Sequence, residues 1–242
     1  DIFKNYQIPG IRVPDESSPD LEISGRINGW RDARRIAPLP EKVPKSRVNM
    51  EKAIKKEFGI PYVDFQKLSD PETARDFYTS VVQNIRIAPA VVHTISYIGP
   101  MGPAQEMRGS TAYSTMFEGL AYNASVLGNR YLYEQKQKEN FETGWHVQPT
   151  IISVFNHEMA HKIDEMYDIT SIPRVREMYD NMSAMDISNG LSTYALTNTF
   201  EFVAECWAEY LGTSEPRPIS QEVGDIIIAR IKQYEAAANR NI

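Results

Sequence analysis

Cysteine is nearly absent: the 242-residue chain has one, Cys206. A single thiol rules out an internal disulfide and a zinc finger built on several cysteines, so any zinc must be held by histidine and carboxylate. Long apolar runs are absent too. No stretch of about eighteen apolar residues is available to cross a bilayer, and the N-terminus lacks the basic-then-apolar pattern of a signal peptide. Asp1 in place of Met is expected of a mature or trimmed product whose targeting segment is already gone. Positive charge is in deficit: 26 Lys and Arg face 32 Asp and Glu, giving a net charge of −6 and a pI near 5.4. No segment gathers basic residues into a face that would track a phosphate backbone, which argues against a nucleic-acid partner.

What is present is ordinary for a soluble globular protein, at 42% hydrophobic and 24% charged residues. Residues 1–46 hold Pro9, Pro14, Pro19, Pro38, Pro40 and Pro44, and proline removes a backbone donor and resists regular structure. They predict an extended arm whose apolar residues, Ile8, Ile11 and Trp30 among them, drape over the body or a partner. The remainder, 47–242, reads as one enzyme-sized unit. Helices are expected over 47–58 and 70–87, the second capped by Asp70 with Pro71 in its first turn. Glycine-punctuated strands follow at 94–98, 112–117 and 120–126. A helix over 130–141 and a turn at Gly144-Trp145-His146 lead into helices at 150–167, 174–185, 198–211 and 219–236. A sheet-rich 47–149 followed by a helical 150–242 predicts an α+β fold, with a small mixed sheet packed on one helix and a helical C-terminal lobe.

That helix carries Asn156-His157-Glu158-Met159-Ala160-His161. Residues four apart share a helix face, so both imidazoles reach one cation while Glu158 projects beside the open coordination position. Zinc held this way makes water acidic enough for a neighbouring carboxylate to take its proton and later deliver it to a leaving amine. By chance a chain with four histidines holds such a pattern roughly 0.005 times, so coincidence is a poor explanation. The other histidines, His93 and His146, read as packed or capping residues.

A catalytic zinc needs a third protein ligand. Asp164 lies three residues beyond His161, and Glu201 lies forty residues on in a separate helix. A carboxylate from a crossing helix completes a tetrahedron and leaves room for water, which favours Glu201. Asp164 is left as an orienting partner of a ligating imidazole or as a solvated acid at the helix end. Glu201, Glu205 and Glu209 share one helix face flanked by Phe200, Phe202, Val203, Trp207 and Tyr210, so an acidic face turned to a metal cleft is expected, with Glu205 behind the ligands.

The sequence HEMAHKID followed by FEFVAE, with Tyr194 seven residues before Glu201, resembles the gluzincin peptidases similar to anthrax lethal factor and the clostridial Pro-Pro endopeptidases. The resemblance covers about 150–211, and Val203 stands where that family has a second aromatic. It implies a zincin-like fold and a zinc endopeptidase acting on protein or peptide. It further implies His157, His161 and Glu201 as ligands, Glu158 as general base, and Tyr194 as the phenol that stabilises the oxyanion. Without it, Tyr194 reads equally as a core aromatic before a helix. In zincins an edge strand above the active helix pairs with the extended substrate, and 109–117 and 120–126 are both candidates. Two other readings stand beside the enzyme. One is a metal site that serves folding alone. The other is a structural protein, a virion or toxin-complex component that keeps the zincin fold as a docking or self-processing module; the expected location is secreted or virion-associated. The proline-rich arm motivates the latter, as does Pro216-Arg217-Pro218-Ile219-Ser220, which looks similar to metallopeptidase-like domains appended to phage head proteins.

Overall fold

The first two helices start at side-chain caps. α1, Arg47–Phe58, begins where the Ser46 hydroxyl accepts from the Asn49 N–H, and it ends at Gly59 with φ 72°. α2, Pro71–Ile87, begins where the Asp70 carboxylate accepts from the N–H groups of Glu72 and Thr73. The structure, a computed structural model, describes residues 39–40, 42–103, 111–115, 118–182 and 191–238. The expected arm therefore lies outside the described residues up to residue 38, as do 183–185 of the helix expected at 174–185 and 109–110 and 116–117 of the strand candidates.

The sheet has four short strands: β1, Tyr62–Val63; β2, Tyr97–Pro100; β3, Ala112–Thr115; and β4, Gly119–Tyr122. Their order is β1-β2-β4-β3; β1, β2 and β4 run parallel, and β3 is antiparallel to β4. Two strands differ from expectation. Pro89 opens a 3₁₀ segment that lasts to Thr94, so β2 starts at Tyr97 rather than 94. β4 stops at Tyr122 because the Asn123 side chain accepts from the N–H groups of Ser125 and Val126, turning the chain into the one-turn α3, Ala124–Leu127. Since β4 lies between β2 and β3, the 120–126 candidate has no free edge for a substrate; among the described residues β3 pairs with β4 alone.

α4, Arg130–Glu142, is capped by Asn129 and buries only Tyr133 and Gln137. α5, Ile151–Tyr167, starts after Thr150, whose side chain makes no capping bond; its carbonyl instead accepts from the Ser153 hydroxyl at 2.6 Å. α6, Pro173–Asn181, α7, Thr199–Gly212, and α8, Pro218–Ala238, complete a mixed α/β fold that is mostly helical. The front half is less sheet-rich than expected, because α1, α2 and α4 take up more of it than strands of no more than four residues.

α5 is the central element, packed on α2, α7, β3 and β4. Ile151, Phe155, Met159 and Ile163 repeat every fourth residue and are all buried. Phe155 stacks on Phe77 of α2 at 4.1 Å, a buried ring pair in which each side chain is worth about 2–3 kcal/mol. A buried polar network ties the helices together just before the motif. Ser80 Oγ and Asn84 Nδ2 donate to Asn156 Oδ1 at 2.7 and 3.0 Å, and Trp207 Nε1 donates to Asn84 Oδ1 at 2.7 Å. α7 and α8 cross closely: a Cβ on Gly224 would lie 2.0 Å from the Tyr210 ring, so only glycine fits there. No described helix is long and apolar enough to cross a membrane.

Candidate metal centre

The crossing of α5 and α7 brings the three expected ligands together. His157 and His161 share one face of α5, their ring centroids 5.0 Å apart. Glu201 sits in the first turn of α7, where Asn198 Oδ1 accepts from its N–H at 2.9 Å and fixes the start of the helix. Glu201 Oε2 lies 2.9 Å from His157 Nε2 and 3.5 Å from His161 Nε2, and one donor atom from each residue falls within 4.8 Å of the others. Two imidazole nitrogens and a carboxylate oxygen suit zinc, which at metal–ligand distances of about 2.0–2.1 Å needs donors about 3.3 Å apart. The His161 pair, at 3.5 Å, is near that spacing, and the His157 pair, at 2.9 Å, is within hydrogen-bond distance.

The electrostatics favour a cation. Burial alone would push the His157 pKa down, but the hydrogen bonds its ring donates to Glu201 and Glu205 outweigh this and raise it to about 10. Burial works to raise Glu201 and Glu205 as well; hydrogen bonds from His157 and His161 hold the first well below the usual carboxylate range, and those from His146 and His157 hold the second at about 2. Two carboxylates thus face His157, one at each ring nitrogen, an arrangement that favours positive charge there, whether carried by a proton or by a metal ion.

Glu205 ties several segments to this centre. Oε1 accepts from His157 Nδ1 at 2.9 Å, leaving Nε2 for a metal, and Oε2 accepts from the Val147 N–H at 3.0 Å and the Ser192 hydroxyl at 2.7 Å. His146 Nδ1 lies 3.5 Å away. The two segments so anchored also bond each other, Thr193 N to Gly144 O at 2.7 Å and Tyr194 N to Trp145 O at 3.2 Å. This sets the Tyr194 ring 5.7 Å from that of His157. Glu205→Gln is expected to weaken zinc binding about 10–100-fold, because the amide no longer fixes the His157 tautomer as a carboxylate does. Zinc titration against a competing chelator checks this; unchanged affinity would remove Glu205 from the metal's support.

Glu158, half-buried, lines a cleft of about 420 Å³ together with His157, Tyr194 and Glu205. Desolvation first, then Glu201, Glu158 and Glu205, push the Tyr194 phenol up to about 12, and it shares a hydrogen bond with Glu201. Asp164 is placed differently from the metal ligands. Its two oxygens accept from Thr170 N at 2.6 Å and Thr170 Oγ1 at 3.1 Å, beyond the end of α5, with His161 an electrostatic neighbour. It is 7% exposed, so it is not a solvated acid, and among the described residues its side-chain hydrogen bonds go to Thr170 rather than to an imidazole. Glu209, third on the acidic face, accepts from Arg217 Nε at 2.7 Å and from Ser220, fastening the start of α8.

Ser192 and the Val147 N–H were not legible as parts of the site, since neither belongs to a motif. His146 carried a faint signal, a rare histidine beside Trp145, and it reaches the cleft; His93 is exposed on the 3₁₀ segment. No protein-family model, curated protein or solved structure matches this chain.

Proposed function

We propose that this chain is a zinc-dependent endopeptidase with a zincin-like fold. The observation that carries the reading is the convergence of His157 Nε2, His161 Nε2 and Glu201 Oε2 from two crossing helices beside a cleft that Glu158 and Tyr194 also line. Supporting it, α5 packs under a small sheet whose β3 edge has β4 as its one partner among the described residues, and Thr111 and Ala112 at that edge line the cleft. An extended peptide adds to such an edge through main-chain hydrogen bonds.

His157, His161 and Glu201 would hold the zinc, which when bound would supply Lewis acidity toward the scissile carbonyl and water. Glu158 takes the proton of the attacking water and returns it to the leaving amine. The Tyr194 hydroxyl donates to the oxygen on which negative charge develops. Glu205 keeps His157 in one tautomer throughout. Metal analysis of protein prepared without chelator should find one zinc per chain, and that protein should hydrolyse members of a random peptide library. Absence of stoichiometric zinc would sink the reading.

A further inference from the structure

The wall of the cleft opposite α5 comes from α4. Tyr133, Lys136, Gln137 and Asn140 all line it, at the i, i+3, i+4, i+7 spacing of a single helix face. The buried residues of α4 are Tyr133, whose ring also belongs to the hydrophobic core, and Gln137, which is the buried polar residue this helix brings to the cleft wall. Gln137 is 3% exposed. Its Nε2 donates to the Tyr133 hydroxyl, which donates in turn to Thr111 Oγ1 at 2.9 Å beside the β3 edge. Its Oε1 is buried without a hydrogen-bond donor among the described residues. A buried amide oxygen left unpaired is costly in a core, whereas in a substrate cleft a ligand N–H can satisfy it. The side chain is held by one end while the other waits for a donor.

We propose that Gln137 is a substrate-binding residue whose Oε1 accepts a hydrogen bond from one main-chain N–H of the bound peptide, across the cleft from the β3 edge. This rests on the peptidase reading. It carries a specificity: the residue supplying that N–H is not proline, which has none.

The test uses the full chain loaded with zinc and the best-cleaved member of a random decapeptide library, remade with each backbone N–H in turn replaced by N-methyl. In the wild type, methylation at one position should raise KM about tenfold, the usual worth of one such hydrogen bond. Gln137→Met should raise KM about tenfold on the parent peptide with kcat unchanged, and should be indifferent to methylation at that position. Gln137→Glu keeps an acceptor in place and should keep the discrimination; Gln137→Asn, which withdraws the carbonyl by one methylene, should behave as Gln137→Met does. If Gln137→Met and Gln137→Asn share the wild-type sensitivity at every position, or if Gln137→Glu loses it with them, the proposal falls and the peptidase reading stands. A wild-type chain that holds zinc yet cleaves no library member removes both.

Discussion

Replacing Glu158 with glutamine is expected to lower kcat/KM on a cleaved peptide by about a thousandfold, or about 4 kcal/mol of barrier, while zinc content stays at one per chain. The substitution keeps size and hydrogen-bonding capacity but removes the ability to take a proton. Glu158 is not among the three groups whose donor atoms converge, so its loss should leave the metal in place. The fall should appear in kcat with KM little changed, since the carboxylate acts on the reacting water and leaving group rather than on the ground-state peptide. The same variant separates the enzyme from its rivals. A docking protein that keeps the fold, or a site in which zinc serves folding alone, would hold zinc and be indifferent to Glu158→Gln. Hydrolysis by the wild type that persists in the variant would therefore overturn the assignment of the base.

Helices were legible because their determinants are local. Asp70 with Pro71, or two histidines four apart on a periodic segment, specify a helix start or a helix face within a few residues of sequence, and the observed bounds of α1, α2 and α5 lie within a residue or two of the expectation. The sheet was less legible. Its strands span at most four residues, and the order β1-β2-β4-β3 depends on pairings such as Tyr62 with Tyr97, which no local pattern encodes. The site divides along the same line. His157, His161 and Glu201 could be read from spacing on two amphipathic helices. The contacts that hold them, from Val147 and Ser192 to Glu205, come from loop residues of no distinctive type that only the folded chain brings near. Gln137 was invisible for another reason: it is one polar residue on a polar helix, and its significance lies in an atom left unpaired.

Glu201→Ala should produce the largest loss of metal. Structural zinc binding is worth about 10–16 kcal/mol over four ligands, so deleting one ligand costs about 2.5–4 kcal/mol, or roughly 10²–10³ in affinity. Glu201 also supplies negative charge beside His157 and His161, and alanine leaves two neutral imidazoles to hold a dication. Asp164→Ala is the informative comparison, because Asp164 was the rival carboxylate. With its oxygens on Thr170, its loss should change zinc affinity no more than a few-fold and should appear instead as about 1–2 kcal/mol of lost stability at the end of α5. Competition with a chromogenic chelator measures the affinities, and thermal unfolding of the zinc-free chains measures the stabilities. The reverse ranking would refute Glu201 as third ligand. Excess zinc gives a further separation: it should restore part of the activity of Glu201→Ala by mass action and none of that of Glu158→Gln, because the first variant lacks metal and the second lacks a base.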